Sequence, residues 1–164
     1  MFDTIEKCLA KLREDRFPPI FERLWLANEP RRFAHQWKGP HFIVERWGSL
    51  VEKVPALSSC VPLLEANLDQ MFAYNPDTGQ FLHYYYGDLD VVTVGQNYQQ
   101  FLSWLFVDLG YAGLTDLVES VASEFGYSYL DEFLKFMESD DDQDAEMAKR
   151  NFVNAFGPPL PGMN

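Results

Sequence analysis

Residues 70–94, QMFAYNPDTGQFLHYYYGDLDVVTV, carry the clearest secondary-structure signal in this chain of 164 residues. Two aromatic-rich runs, 70–74 and 80–86, are joined by the pentapeptide Asn-Pro-Asp-Thr-Gly, in which proline and glycine favour a tight reversal. A second short connection over residues 87–90 leads into the run of residues 91–94. Three adjacent strands joined by two short loops predict an antiparallel meander.

Two helices and a further strand are predicted ahead of the meander. The first helix, over residues 3–14, places four apolar side chains on one face: Ile5, Cys8, Leu9 and Leu12. Cys8 lies on that stripe, which indicates a buried hydrophobic residue and not a nucleophile. Pro18 and Pro19 favour the first turn of a second helix, where the missing proline N–H is not needed. Alternating side chains over residues 41–47 predict a strand.

After the meander, the apolar spacing becomes helical. Asn97 is suited to cap a helix that ends at Gly110, and three more helices are predicted within residues 115–156. The expected fold class is therefore α+β, with a mostly antiparallel sheet (the meander) packed against flanking helices, and extra C-terminal helices. A single domain is expected over residues 1–157, followed by a flexible tail over residues 158–164.

Composition places the chain among globular proteins. It is 47% hydrophobic and 23% charged, and 164 residues are enough for one domain with a core of its own. The sequence holds no apolar stretch of the roughly 18 residues that a membrane span needs, and its start does not have the shape of a signal peptide. Two cysteines do not make a disulfide framework. We therefore expect a cytoplasmic protein that does not contact a membrane.

The charge is strongly negative and is concentrated in one part of the chain. The formal net charge is −12, and residues 108–146 contain 12 acidic residues against one basic residue, Lys135. Direct binding of DNA or RNA is not expected, because affinity for phosphates comes from lysine and arginine. A concentrated negative field instead raises the rate of encounter with a basic partner. The alternative is that the acidic residues serve solubility alone.

The motifs of common enzymes and metal sites are missing from the sequence. The three histidines fall outside any zinc-ligand spacing, and no serine elbow, phosphate loop or dinucleotide-binding motif occurs. Asp140, Asp142 and Asp144 resemble the start of a calcium loop, but Ala145 and Asn151 stand where that loop needs glycine and glutamate. We therefore predict no catalytic residues, no metal and no cofactor.

The aromatic run of residues 80–86 is the strongest candidate for a binding surface. In a strand, Tyr84 and Tyr86 point to one face while His83 and Tyr85 point to the other. A two-layer fold leaves one sheet face partly open, and exposed tyrosine is enriched where proteins dock. The predicted partner-binding residues combine this ring surface with nearby and C-terminal acidic groups: Tyr84, Tyr86, Asp88, Asp90, Asp140, Asp141 and Asp142. The alternative is a sheet with ordinary half-buried tyrosines.

Several segments together resemble the SUKH superfamily. The opening segments IEKCL (5–9), FPPIFERL (17–24) and LAN (26–28) are similar to the start of that family, a helix, a Leu-Pro step and a second helix. Later segments are similar to its hairpin with a Thr-Gly turn, the next strand and the helix that follows: VPL (61–63), MFAYNPDTGQ (71–80), VTVG (92–95) and NYQQFL (97–102). The resemblance covers residues 5–107.

The resemblance implies an α+β fold and a function without catalytic residues. For most bacterial members it implies an immunity protein that binds and neutralises a secreted toxin, often a nuclease, encoded nearby. Nucleases tend to be basic because they bind phosphate, so an acidic inhibitor has a field suited to them. Two alternatives stay open: a general interaction or scaffolding module of the same fold, and an enzyme built on His83 with Asp88 or Asp90.

Overall fold

The computed structural model describes residues 2–26, 37–66, 69–87, 90–139 and 144–161. The chain divides into two compact units, Met1–Val92 (unit 1) and Thr93–Asn164 (unit 2). The expected single domain over residues 1–157 stays a prediction.

Unit 1 contains helices and most of an antiparallel sheet. Its helices are α1 (Ile5–Glu14), α2 (Pro19–Trp25), α3 (His41–Val44), α4 (Trp47–Lys53) and a 3-10 helix (Pro55–Leu57). Its strands are β1 (Trp37–Lys38), β2 (Val61–Ala66), β3 (Gln70–Asn75) and β4 (Gln80–Tyr85). The division between the units falls inside β5 (Val91–Gly95), and the sheet order is β1-β2-β3-β4-β5. The predicted α+β class and the meander are confirmed.

The hairpin between β3 and β4 follows from its turn residues. The side-chain Oδ1 of Asn75 accepts a hydrogen bond of 3.0 Å from the Asp77 N–H, and the Asn75 carbonyl accepts one of 2.8 Å from the Gly79 N–H. Gly79 has φ +75°, a conformation that favours glycine. The turn fixes a register in which Met71 pairs with Tyr84. That register sets which aromatic side chains share a face.

The predicted strand over residues 41–47 is wrong, because this segment forms α3 and the start of α4. Ile43 and Trp47 are four residues apart, which places them on one face of a helical segment but also at the same parity in a strand. Both are buried in a cluster with Met71, Leu82 and Tyr84. The alternation of residues 41–47 therefore does not distinguish the two structures.

Both faces of the sheet in unit 1 are covered by helical segments. Ile43 and Trp47 of α3 and α4 pack on the face that carries Tyr84. On the opposite face, the ring of Phe17, between α1 and α2, lies 5.1 Å from the ring of Tyr74 and 6.2 Å from that of Phe81, centroid to centroid. The assumption of a two-layer fold, on which the predicted exposure of the tyrosines depended, is therefore wrong.

Unit 2 is built around α5 (Tyr98–Tyr111), against which α6 (Thr115–Val121), α7 (Leu130–Glu138) and α8 (Ala145–Asn154) pack. The predicted cap is confirmed: Asn97 Oδ1 accepts a hydrogen bond of 2.9 Å from the Gln100 N–H. The predicted end at Gly110 is wrong, since α5 continues to Tyr111 and Gly113, with φ +75°, follows it. Gly110 instead allows α7 to approach, because a Cβ there would lie 2.6 Å from Met137 Sδ.

The segment after α8 also differs from its prediction. Residues 158–161, expected to belong to a flexible tail, are held by side chains of unit 2, and Leu160 is buried. Residues 162–164 lie outside the described residues. No helix within the described ranges has the length and apolar character needed to cross a membrane.

Candidate functional site

The predicted exposure of Tyr84 is wrong. Its side chain is 5% exposed and packs in the cluster that α3 and α4 form over the sheet. Tyr86 is half-buried, packs against the same cluster and has its ring centroid 6.0 Å from that of Tyr84. The two tyrosines share a face, as their spacing predicts, but that face belongs to the interior of unit 1.

The hydroxyl of Tyr86 lies beside a buried carboxyl group. Burial raises the pKa of Glu65, which the neighbouring Tyr86 hydroxyl opposes, and burial together with Glu65 raises the pKa of Tyr86. The two groups interact, yet neither Glu65 Oε1 nor the Tyr86 hydroxyl completes a hydrogen bond of good geometry. A buried polar atom without such a bond costs free energy of folding, so this pair lowers the stability of unit 1.

The opposite face of β4 carries the ring that sequence analysis did not select. Tyr85 is 44% exposed, and its ring centroid is 4.5 Å from that of His83. His83 is buried, stacks on Phe72 at 4.6 Å between centroids, and has its Nε2 3.1 Å from Gln70 Oε1. The alternation alone does not show that α3 and α4 cover Tyr84, because the sequence predicts a strand over residues 41–47. The choice between Tyr84 and Tyr85 depends on that packing.

Of the five acidic residues predicted for the site, the structure describes one. Asp90 is described and is exposed next to β5. Asp88, Asp140, Asp141 and Asp142 lie outside the described residues, so their part in a site stays a prediction. The same holds for a pairing of His83 with Asp88.

Unit 2 carries the acidic surface. Nine of its described carboxylate side chains are exposed: Asp108, Asp116, Glu119, Glu124, Asp131, Glu132, Glu138, Asp144 and Glu146. Its basic residues are Lys135, which is exposed, Lys149, which is buried, and Arg150, which is half-buried. The Arg150 guanidinium donates to the carbonyls of Leu160 and Pro161, so these N–H groups are engaged within the unit.

Lys149 is neutralised by an internal partner. Its Nζ lies 2.5 Å from Asp108 Oδ1 and 3.7 Å from the centroid of the Trp104 ring. Burial lowers the pKa of Lys149, an effect that the adjacent Asp108 carboxylate opposes. The lysine joins α8 to α5 through an ion pair and a cation–π contact, and adds little positive potential to the surface.

One exposed ring stands among these carboxylates. Tyr111, at the end of α5, is 47% exposed, and its hydroxyl donates a hydrogen bond of 3.1 Å to the Ala145 carbonyl at the start of α8. Burial of part of the ring raises its pKa, and Glu146 and Asp108 raise it further. We call the following exposed residues the Tyr111 surface: Asp108, Tyr111, Asp144, Glu146 and Met147. It joins negative charge to an exposed ring and an exposed methionine.

Tyr111 is not among the residues that the sequence predicts for a binding surface. Tyr111 lies one residue after Gly110, where the sequence predicts that the helix ends, and its hydroxyl meets Ala145 only when α5 and α8 pack together. Asp144, considered above as part of a calcium pattern, caps α8 by accepting a hydrogen bond of 2.9 Å from the Glu146 N–H.

Both cysteine thiols are buried within unit 1. Burial raises the pKa of Cys8 to about 12 and that of Cys60 to about 11, so both remain protonated thiols at neutral pH. No set of three His, Cys, Asp or Glu side chains placed to hold a metal ion occurs within the described ranges.

Comparison of the chain with protein-family models, with curated proteins and with solved structures finds no match.

Proposed function

We propose that this protein is a non-enzymatic binding protein, an immunity protein of the SUKH type that neutralises a basic, nuclease-type toxin in the bacterial cytoplasm. The observation that carries the proposal is the surface of unit 2. Among its described residues, nine exposed carboxylates, of which Asp108 pairs with the buried Lys149, stand against one exposed cation, Lys135. Such a surface matches a partner whose own site is basic because it binds phosphate.

We expect the partner to contact unit 2 at the Tyr111 surface. Tyrosine is enriched among the residues that dominate binding energy, since its large ring buries much area and loses little side-chain entropy. The hydrogen bond from Tyr111 to Ala145 holds that ring in place before a partner arrives. Glu146 beside it is positioned to meet lysine or arginine of the partner. Steering by the wider field then raises the association rate.

The described chemistry of the chain favours binding over catalysis. The thiols are buried and protonated, and His83 stacks on Phe72 beneath Tyr85. The buried lysine is engaged by Asp108, and its amine is held over the Trp104 ring. These groups stabilise their units, and the exposed groups are carboxylates and rings suited to contact with another protein.

The proposal is tested with the product of the open reading frame next to this gene. We expect calorimetric titration to give saturable binding, and Tyr111→Ala to weaken it by about tenfold or more, as truncation of a dominant interface residue does. Tyr85→Ala is the matched control, since the two rings are 47% and 44% exposed. No binding of the neighbouring product contradicts the proposed function, and equal effects of the two variants contradict the assignment of the surface.

A further inference from the structure

Side chains of unit 2 hydrogen-bond the whole backbone of residues 158–161, which follow α8. Each carbonyl of residues 158–161 accepts a hydrogen bond: Pro158 from Gln100 Nε2 at 2.8 Å, Pro159 from Gln96 Nε2 at 2.5 Å, and Leu160 and Pro161 from Arg150. The stretch has a single backbone N–H, that of Leu160, which donates to Asn154 Oδ1 at 2.8 Å. Side chains therefore satisfy every backbone polar group of these four residues.

Two of the amide groups that contact the segment, those of Gln100 and Asn97, are held by other hydrogen bonds of unit 2. Gln100 Oε1 accepts a hydrogen bond of 2.9 Å from the Gln96 N–H, and Asn97 Oδ1 accepts one from the Gln100 N–H. With both oxygens engaged, each NH2 group points to the segment, and Asn97 Nδ2 donates to the Phe156 carbonyl at 3.1 Å. The site therefore presents donors, and a proline-rich chain, which offers carbonyls and few N–H groups, is its complement.

The site also selects side chains by size. Leu160 is 5% exposed, so it is the residue of the segment that is buried between the prolines. A Cβ at Gly157 would lie 2.2 Å from Asn97 Nδ2 and 2.9 Å from Gln100 Cδ, and both amides are fixed by the bonds above. Gln100 is itself fully buried. The pattern that fits is glycine, two prolines, leucine and proline.

We propose that unit 2 contains a recognition site for a proline-rich peptide of the pattern Gly-Pro-Pro-Leu-Pro, and that the chain's own residues 157–161 fill this site in cis. Proline-rich ligands suit recognition because their extended conformation is largely preformed and loses little entropy on binding. A partner segment of the same pattern binds by displacing the chain's own segment. The site uses other residues than the Tyr111 surface, and it stands whether or not a toxin is bound.

Because the chain's own residues 157–161 fill the site, a separate peptide must compete with them in order to bind. A segment tethered by a short connection competes at an effective concentration of the order of millimolar. The apparent affinity for a free peptide is the intrinsic affinity multiplied by the fraction of molecules whose site is open. Weakening the cis segment without changing the donors therefore exposes the site.

The test uses the full chain with Leu160→Ala and a dye-labelled synthetic peptide, Gly-Pro-Pro-Leu-Pro-Gly, followed by fluorescence anisotropy. We expect saturable binding to the variant, about tenfold or more tighter than to the unaltered chain because the cis competitor is weakened. A peptide with aspartate in place of leucine is the matched control and should not bind. Absence of saturable binding up to about 1 mM peptide, or equal binding to both chains, overturns the proposal.

Two further measurements separate this site from a merely structural contact. Adding Asn154→Ala to the Leu160→Ala chain removes the acceptor for the ligand N–H, and binding of the peptide should fall, with circular dichroism confirming that the chain is folded. In the unaltered chain the Leu160 amide should exchange slowly with deuterium, and Asn154→Ala should accelerate that exchange. Rapid exchange of this amide in the unaltered chain would mean that the segment does not occupy the site.

Discussion

At the scale of single residues, the buried carboxyl group of Glu65 links the stability of unit 1 to pH. Burial raises its pKa above the ordinary value of 4.5, so the folded chain holds this proton more tightly than the unfolded chain. The stabilising contribution is complete below the unfolded pKa and is lost as the pH rises through the folded pKa. The Tyr86 hydroxyl, His41 and Lys38 lower the pKa but do not outweigh burial.

We therefore predict that Glu65→Gln becomes more stable relative to the unaltered chain as the pH rises from about 4 to 7, since glutamine never has to lose a proton. Chemical denaturation of both proteins across this range measures the difference in the free energy of unfolding. Met71→Leu, at the position paired with Glu65 in β2 and β3, titrates nothing and serves as control. A difference for Glu65→Gln that is constant or that shrinks with pH would contradict the buried position of the carboxyl group.

Two glycines that meet no neighbouring atom are predicted to respond oppositely to alanine. Gly113, after α5, has φ +75°, and Gly48 lies inside α4 without a positive φ. Gly113→Ala should lower stability by about 1 kcal/mol because alanine is strained at that φ. Gly48→Ala should raise it by about 0.5–1 kcal/mol because a helical glycine loses more backbone entropy. Thermal unfolding of each variant measures both effects, and the same sign for the two would count against the assigned backbone conformations.

At the scale of elements, α3 and α4 determine which tyrosines are available for binding. Trp47 is fully buried in the cluster that covers Tyr84. Trp47→Ala should lower the free energy of unfolding by about 3–5 kcal/mol, as expected for truncation of a buried aromatic side chain. Leu26→Ala, an exposed leucine of unit 1, is the control and should cost less than about 1 kcal/mol. Equal costs in denaturant titrations would place Trp47 outside the core.

Elements whose signals are local were predictable from the sequence. The hairpin turn at Asn75 and Gly79 and the cap at Asn97 depend on contacts within a few residues, so their patterns predict the structure directly. Ile43 and Trp47 fit a helix and a strand equally, and the sheet that they cover lies later in the chain. The assignment depends on tertiary packing, which a short apolar pattern does not contain.

The candidate surface was predictable only in its chemistry. The concentration of acidic residues in 108–146 is visible in the sequence, and their described members in unit 2 are exposed. The position of Tyr111 among these carboxylates was not predictable from the sequence, because Tyr111 meets Ala145 only when α5 and α8 pack together. The same packing brings Gln96 and Gln100 to the prolines after α8, and the sequence distance between them gave no sign of it.

At the scale of the whole molecule, charge is divided unevenly between the two units. Unit 2 contains 12 acidic and three basic residues, and unit 1 contains 13 acidic and 10 basic. Three of the described cations of unit 1 are paired with neighbouring carboxylates: Lys7 with Asp3, Lys11 with Asp15, and Arg13 with Glu22. The field that steers a basic partner therefore originates in unit 2.

The rate of association with the neighbouring gene product tests this account most directly. Stopped-flow measurements should show kon falling by about tenfold or more between 20 mM and 200 mM salt, because screening removes electrostatic steering. At low salt, reversal of Glu119, Glu132 and Glu138 of unit 2 to lysine should slow association. The same change at the exposed Glu6, Glu45 and Glu52 of unit 1 should affect it far less. A rate that does not depend on salt, or equal effects of the two triple variants, would contradict recognition through the acidic surface of unit 2.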